Sequence, residues 1–217
     1  MSAERVTRTC SILPFVMIFF LLFTEKVLSH EINNAVCHLD AAKDRHHCHL
    51  NGEETTIPKY QRNYFGRWLD FDGDCQNTRH ELLIDLNVGA LSLSEDFCSA
   101  LRGRWFDPYS GETFFESSEL DIDHLVPLKF AWEHGAYAWD RKKRYNFAND
   151  NSNLIAAHKS LNRQKGASGP TEWMPPNEKF HCQYLLRFWR VLRTYEIDFY
   201  LSEKESFKNL KRIKCDL

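Results

Sequence analysis

The sequence predicts an α+β fold: one mostly helical, disulfide-stabilised domain with a few short strands. Three observations predict it. The C-terminal third repeats apolar residues at helical spacing, in "EKFHCQYLLRFWRVLRTYEI" and "SEKESFKNLKRIK". The middle holds two short apolar runs of strand length, "ELDIDHLVPL" and "NSNLIAAH". Beyond an apolar leader six cysteines remain, an even number that suits three disulfides outside the cytosol. With 217 residues, 43% hydrophobic and 14% aromatic, the chain can bury a real core, which excludes a disordered tail or a low-complexity linker.

From the N-terminus, "MSAERVTRTC" carries two arginines, "SILPFVMIFFLLF" is apolar, and "TEKVLSH" supplies small and aliphatic residues. The run is shorter than the ~20 residues a membrane span needs. Residues 1–29 therefore read as a signal peptide cut after Ser29, leaving a secreted or periplasmic chain with no stable membrane association. Residues 30–58 read as an irregular, polar lead-in. Its Cys37, His38, His46, His47, Cys48 and His49 have zinc-ligand composition without a familiar zinc spacing, so a disulfide-closed loop is expected. Sequential pairing, Cys37–Cys48, Cys75–Cys98 and Cys182–Cys215, is the expected choice among about 15 connectivities.

The globular domain is expected over residues 59–217. Asp70, Asp72, Asp74 and Glu81 mimic a calcium loop, but Cys75 stands where the tight turn needs glycine. A surface turn is the reading; a calcium-binding adhesion domain built on these acids is kept as an alternative. "NTRHELLIDL" reads as a helix capped by Asn77 or Thr78. "LRGRWFDPYSGETFF" brackets a Pro and a Gly between aromatic runs, a hairpin signal. "ELDIDHLVPL" is a strand broken by Pro127. "KFAWEHGAYAW" and "DRKKRYNFAND" read as helical, "NSNLIAAH" as the second strand, and "KSLNRQKG" as a helix ended by Gly166. Charge is unevenly spread. Residues 30–140 hold nine Lys and Arg against twenty Asp and Glu; residues 141–217 hold sixteen against eight. The basic half suits a polyanionic partner.

Three pieces then stand in order: Asp123-His124 in the first strand, Asn153 opening the second, and Asn162-Arg163-x-Lys165 in the helix that follows. "DIDHLVPL", "ANDNSNLIAAHKSLNRQKG" and "WMPP", with "YQRNYFGRWLDFDGDCQNTRHELL" and "GRWFDPYSGE" upstream, resemble the HNH, or His-Me finger, endonucleases. The likeness is to the exported group similar to the C-terminal domain of the GmrSD restriction enzymes, over residues 59–195. It implies a ββα-metal core embedded in the helical domain. In that core His124 would be the general base and Asn153 would fix its ring by hydrogen bonding. Asp123 and Asn162 would hold one divalent cation, Mg2+ first, with Mn2+ or Ca2+ as substitutes. Asp121 and His158 would stand behind them, and His158 remains a rival to Asn162 as ligand. Asp123 and His124 are adjacent, so an ideal strand would send them to opposite faces; a break is required for them to converge.

The chemistry is consistent with those roles. A neutral imidazole titrates near working pH and can take a proton from the attacking water. A hard cation on oxygen ligands stabilises charge on phosphate and leaving group. Arg141, Lys142, Lys143, Arg144, Arg163 and Lys165 are the expected phosphate contacts, which bind without reading sequence. The expectation is a monomeric, metal-dependent, largely sequence-nonspecific endonuclease on DNA more than RNA. An exported nucleic-acid-binding protein without catalysis is the other alternative.

Overall fold

The computed structural model describes residues 36–40, 45–50 and 53–216, with side chains from Thr56 onward. The expected signal peptide lies outside the described residues. Strands β1 (Val36–Asp40), β2 (Arg45–Leu50) and β3 (Glu53–Thr56) form a three-stranded antiparallel sheet. The irregular lead-in is thus a meander. Its strands were hidden because histidines and acids fill them, so no apolar face alternates with a polar one. Cys37 stands opposite Cys48 in backbone register; their side chains, like the zinc-like histidines, lie outside the described residues.

The Asp-rich segment closes on itself. Asp70 accepts from the Gly73 and Cys75 amides, Asp72 from Asp74, and Asp74 from Gln76. Short acidic side chains bonding backbone a few residues on are what make turns of such segments. Helix α1 (Thr78–Asp85) follows, with Asn77 as cap accepting from the Arg79 and His80 amides. Strands β4 (Ser92–Leu93), β5 (Ala100–Asp107) and β6 (Glu112–Glu116) form the second sheet, in which β5 and β6 are the expected hairpin. The Cys75–Cys98 disulfide joins the turn before α1 to the loop before β5.

Strands β7 (Leu120–His124) and β8 (Leu154–His158) make a third, two-stranded antiparallel sheet, and α4 (Lys159–Lys165) leads directly out of β8. Between the strands run α2 (Leu128–Glu133) and α3 (Arg141–Asn149). The first is shorter than its pattern suggested, because Gly135 takes a left-handed φ of 111° and turns the chain. Pro127 caps α2 rather than distorting β7. Gly166, at φ 56°, ends α4 with its N–H on the Asn162 carbonyl.

Helices α5 (His181–Tyr195) and α6 (Leu201–Lys214) close the fold, tied by Cys182–Cys215. Tyr184, Leu185, Phe188, Val191 and Leu192 of α5 are buried at helical spacing, each large side chain contributing roughly 1.5–3 kcal/mol. They build the larger core with Phe130, Phe147, Ile155, Ala157 and Phe207. A smaller core joins Leu82, Leu83, Trp105, Leu120, Ile122, Leu154 and Ala156. The β7–β8 sheet lies between them. No described helix is long and apolar enough to cross a membrane.

Candidate active site

Register decides what this sheet presents. Leu120 pairs with His158, Asp121 with Ala157, Ile122 with Ala156, Asp123 with Ile155 and His124 with Leu154, without a shift. Side chains alternate along a strand. Leu120, Ile122, Leu154 and Ala156 enter the smaller core, whereas Ile155 and Ala157 enter the larger. Asp121 and Asp123 therefore share the larger-core face, and His124 leaves the other. The break needed for convergence does not occur, because Pro127 acts three residues later, on α2.

Asp123 is 6% exposed and fully engaged on one oxygen. Its Oδ2 accepts from Tyr109 Oη at 2.7 Å and from Lys165 Nζ at 2.8 Å. Lys165 is 1% exposed and also donates to the His124 carbonyl at 2.7 Å. Burial pushes the Lys165 ammonium's pKa down, and the Asp123 charge and hydrogen bond pull it back up. Burial first, and then Asp123, holds the Tyr109 phenol far above its usual value. Two expectations are corrected here. Lys165 is no phosphate contact, because it sits on the inward side of the last turn of α4. Asp123 already carries a cation.

Asn162 gives its Nδ2 to Asp121 Oδ2 at 3.0 Å. The carboxylate that meets Asn162 is thus Asp121, not Asp123. His158 is on the opposite face, stacked on Phe114 at 4.8 Å and bonded to Ser160 Oγ at 2.7 Å. The ligand set implied by the resemblance, Asp123 with Asn162, does not fit a cation in this arrangement. One carboxylate is spent on an ammonium, the amide points its nitrogen at another acid, and both stand across the sheet from the imidazole.

His124 is 8% exposed. Its Nε2 lies 2.9 Å from the Ala148 carbonyl. A carbonyl only accepts, so Nε2 carries the hydrogen and Nδ1 is left as the basic nitrogen. Among the described residues no hydrogen bond reaches Nδ1. The ring stacks on Trp68, with centroids 5.3 Å apart and planes 6° off parallel. Burial, with smaller contributions from Arg62 and Lys165 and against the partial support of the Ala148 bond, lowers its pKa to about 3. The imidazole is neutral at ordinary pH.

Asn153 is fully buried but does not touch the ring. Its Oδ1 accepts from the Val126 amide at 2.8 Å, its Nδ2 donates to the Val126 carbonyl, and its own carbonyl accepts from Leu125. It holds the chain leaving β7; the Ala148 carbonyl, at the end of α3, orients the ring. Asn149 does the equivalent for Trp68. Its Oδ1 accepts from the Leu69 amide and Thr78 Oγ1, and its Nδ2 donates to the Tyr145 carbonyl.

The basic residues of α3 are largely committed to the fold. Arg144 donates to the Tyr64 and Trp139 carbonyls, Arg141 to Tyr145 Oη, and Lys143 lies over Trp139. Lys142 and Arg163 are exposed. Arg141 is seven residues, about 10 Å along the helix, from the Ala148 end where His124 binds. Arg62 is exposed and within electrostatic reach of the imidazole.

Sequence reasoning missed Trp68, Tyr109, Asn149 and Arg62. One signal was present for Tyr109: a buried tyrosine must find a partner for its hydroxyl, and Asp123 is an acid in an apolar run. For the others, contacts made across roughly 55 to 80 residues of chain leave no local pattern.

A family model described as "GmrSD restriction endonucleases, C-terminal domain" matches residues 90–209. An "Uncharacterized secreted protein" of Arthroderma benhamiae is 37% identical over 153 residues, which is 70% of this chain and 74% of the relative. No solved structure matches the chain. The chain belongs to the GmrSD restriction endonuclease C-terminal-domain family.

Proposed function

We propose that this protein is an exported nuclease that hydrolyses phosphodiester bonds of DNA with little sequence preference, using His124 as general base. Family membership supports the nuclease class. The apolar leader, two disulfides and a relative described as secreted support export. The observation that carries the chemistry is the state of His124: a neutral ring, its Nε2–H spent on a carbonyl, its Nδ1 open.

In this mechanism Nδ1 takes a proton from a water aligned with the scissile P–O bond. General base catalysis of this kind contributes ~10²–10⁴-fold. A pKa of about 3 makes a weak base in the free protein. An arriving phosphate reverses part of that, because an anion beside the ring favours imidazolium. Trp68 holds the ring plane, and Arg62 supplies positive charge within electrostatic reach of it. Asp123 is bonded to Lys165 and Asn162 to Asp121, so no step is assigned to a cation on that pair.

The test is digestion of plasmid DNA, single-stranded DNA and RNA by the mature protein, with Mg2+ and with EDTA. Nicking and linearisation of plasmid are expected. No cleavage of any substrate under either condition would sink the reading and leave an exported nucleic-acid-binding protein.

A further inference from the structure

We propose that Lys165 is a positioning residue for His124, acting through that histidine's main-chain carbonyl; the inference rests on the reading of His124 as general base. Lys165 Nζ bridges two acceptors that lie one residue apart on β7, Asp123 Oδ2 at 2.8 Å and the His124 carbonyl at 2.7 Å. The bridge crosses the sheet from the side opposite the imidazole. It fixes the peptide from which the ring hangs without occupying the ring's own space.

A simple counter-ion would need the first contact only. The second is what makes Lys165 more than charge compensation. It completes a clamp on three consecutive residues. Lys165 holds the carbonyl of 124, and Asn153 holds the amides of 125 and 126 and the carbonyl of 126. From the imidazole side, the Ala148 carbonyl holds Nε2. Ring and backbone are thus fixed from opposite faces. Tyr109, bonded to the same Asp123 oxygen, anchors the far end of the bridge. The direct Asp123-His124 spacing is what places carboxylate and carbonyl within reach of one ammonium. A base misplaced by about 1 Å can cost ~10²-fold in rate, so a rigid peptide here matters for turnover.

Two variants of the mature chain separate positioning from compensation. Lys165→Met removes the bridge and leaves Asp123 buried with its charge. The pair Asp123→Asn with Lys165→Met removes both charges and still leaves the His124 carbonyl without its donor. We expect kcat on plasmid DNA to fall about 10- to 100-fold in both, with KM within about twofold of wild type. The double variant should regain most of the unfolding midpoint lost by the single one. The 15N shifts of the His124 ring, recorded at one pH, should show the fixed Nε2–H tautomer in the wild type and tautomer averaging in both variants. Wild-type ring shifts in the double variant, or recovery of kcat along with stability, would overturn the proposal. A His124→Ala protein as active as wild type would instead overturn the reading of His124 as general base, and the wild-type and variant ring shifts would still judge the clamp.

Discussion

Asp123 and His124 are neighbours in sequence and opposites in the fold. On the larger-core face Asp123 meets Lys165 and Tyr109, and every polar partner is charged or hydrogen-bonded in the dry interior. On the smaller-core face His124 meets Trp68 and one carbonyl, and among the described residues no hydrogen bond takes its other nitrogen. One step along a strand separates a closed electrostatic clasp from an open basic group. The lesson is that a polar pair in an apolar strand need not be one site. Here the acid is held by the fold, and the proposed chemistry falls to the imidazole, with Lys165 touching both residues.

The comparison breaks first, and furthest, at the clasp. Asp123→Ala should destabilise by about 3–5 kcal/mol in urea unfolding, since it strands the buried ammonium. A loss under about 1 kcal/mol would mean that the pair contributes little. Asn153→Ala, on the segment leaving the sheet, should cost about 1–3 kcal/mol, because the Val126 amide loses its acceptor in the interior. It should leave the Nε2–Ala148 bond in place, a contrast that ring 15N shifts would check. The imidazole face sharpens the comparison through pH. His124 is depressed to about 3 by burial, and His80, whose Nδ1 accepts the Ala100 amide, is lowered by burial and Arg79. Below about pH 6.5 the unfolded chain binds protons that these native histidines refuse, so stability falls with acid. For His124 that fall levels off near pH 3. Thermal midpoints between pH 7 and 4 should decline, and His124→Phe should flatten the slope. The smallest effect belongs to α3. Charge removal at Lys142 should change stability by less than about 0.5 kcal/mol and weaken DNA binding mainly at low salt.

Much of this was legible in the sequence. The helical spacing of α5 and α6, the Asn77 cap, the hairpin glycine and proline, and the strand–strand–helix order around His124 are local patterns. Two of the expected disulfides, Cys75–Cys98 and Cys182–Cys215, also formed as nearest neighbours in the chain. The face each polar residue takes was harder. Alternation said that Asp123 and His124 diverge, and the single site implied by the family resemblance argued otherwise. The fate of Lys165 was not legible at all, because exposed and buried lysines look alike until the helix is placed against the strand. Nor was the ring's true partner. A backbone carbonyl such as that of Ala148 carries no residue-type signal, whereas Asn153 offered an obvious side chain. The meander at β1 to β3 escaped for a related reason, as its strands lack an apolar stripe.

The central claim is that His124 performs the chemistry while its neighbour holds the fold. The most direct test is the single-turnover rate of plasmid cleavage by His124→Ala against wild type, under whichever metal condition supports wild-type activity. The account predicts a loss of at least ~10²-fold with the protein still folded. Equal rates would contradict it.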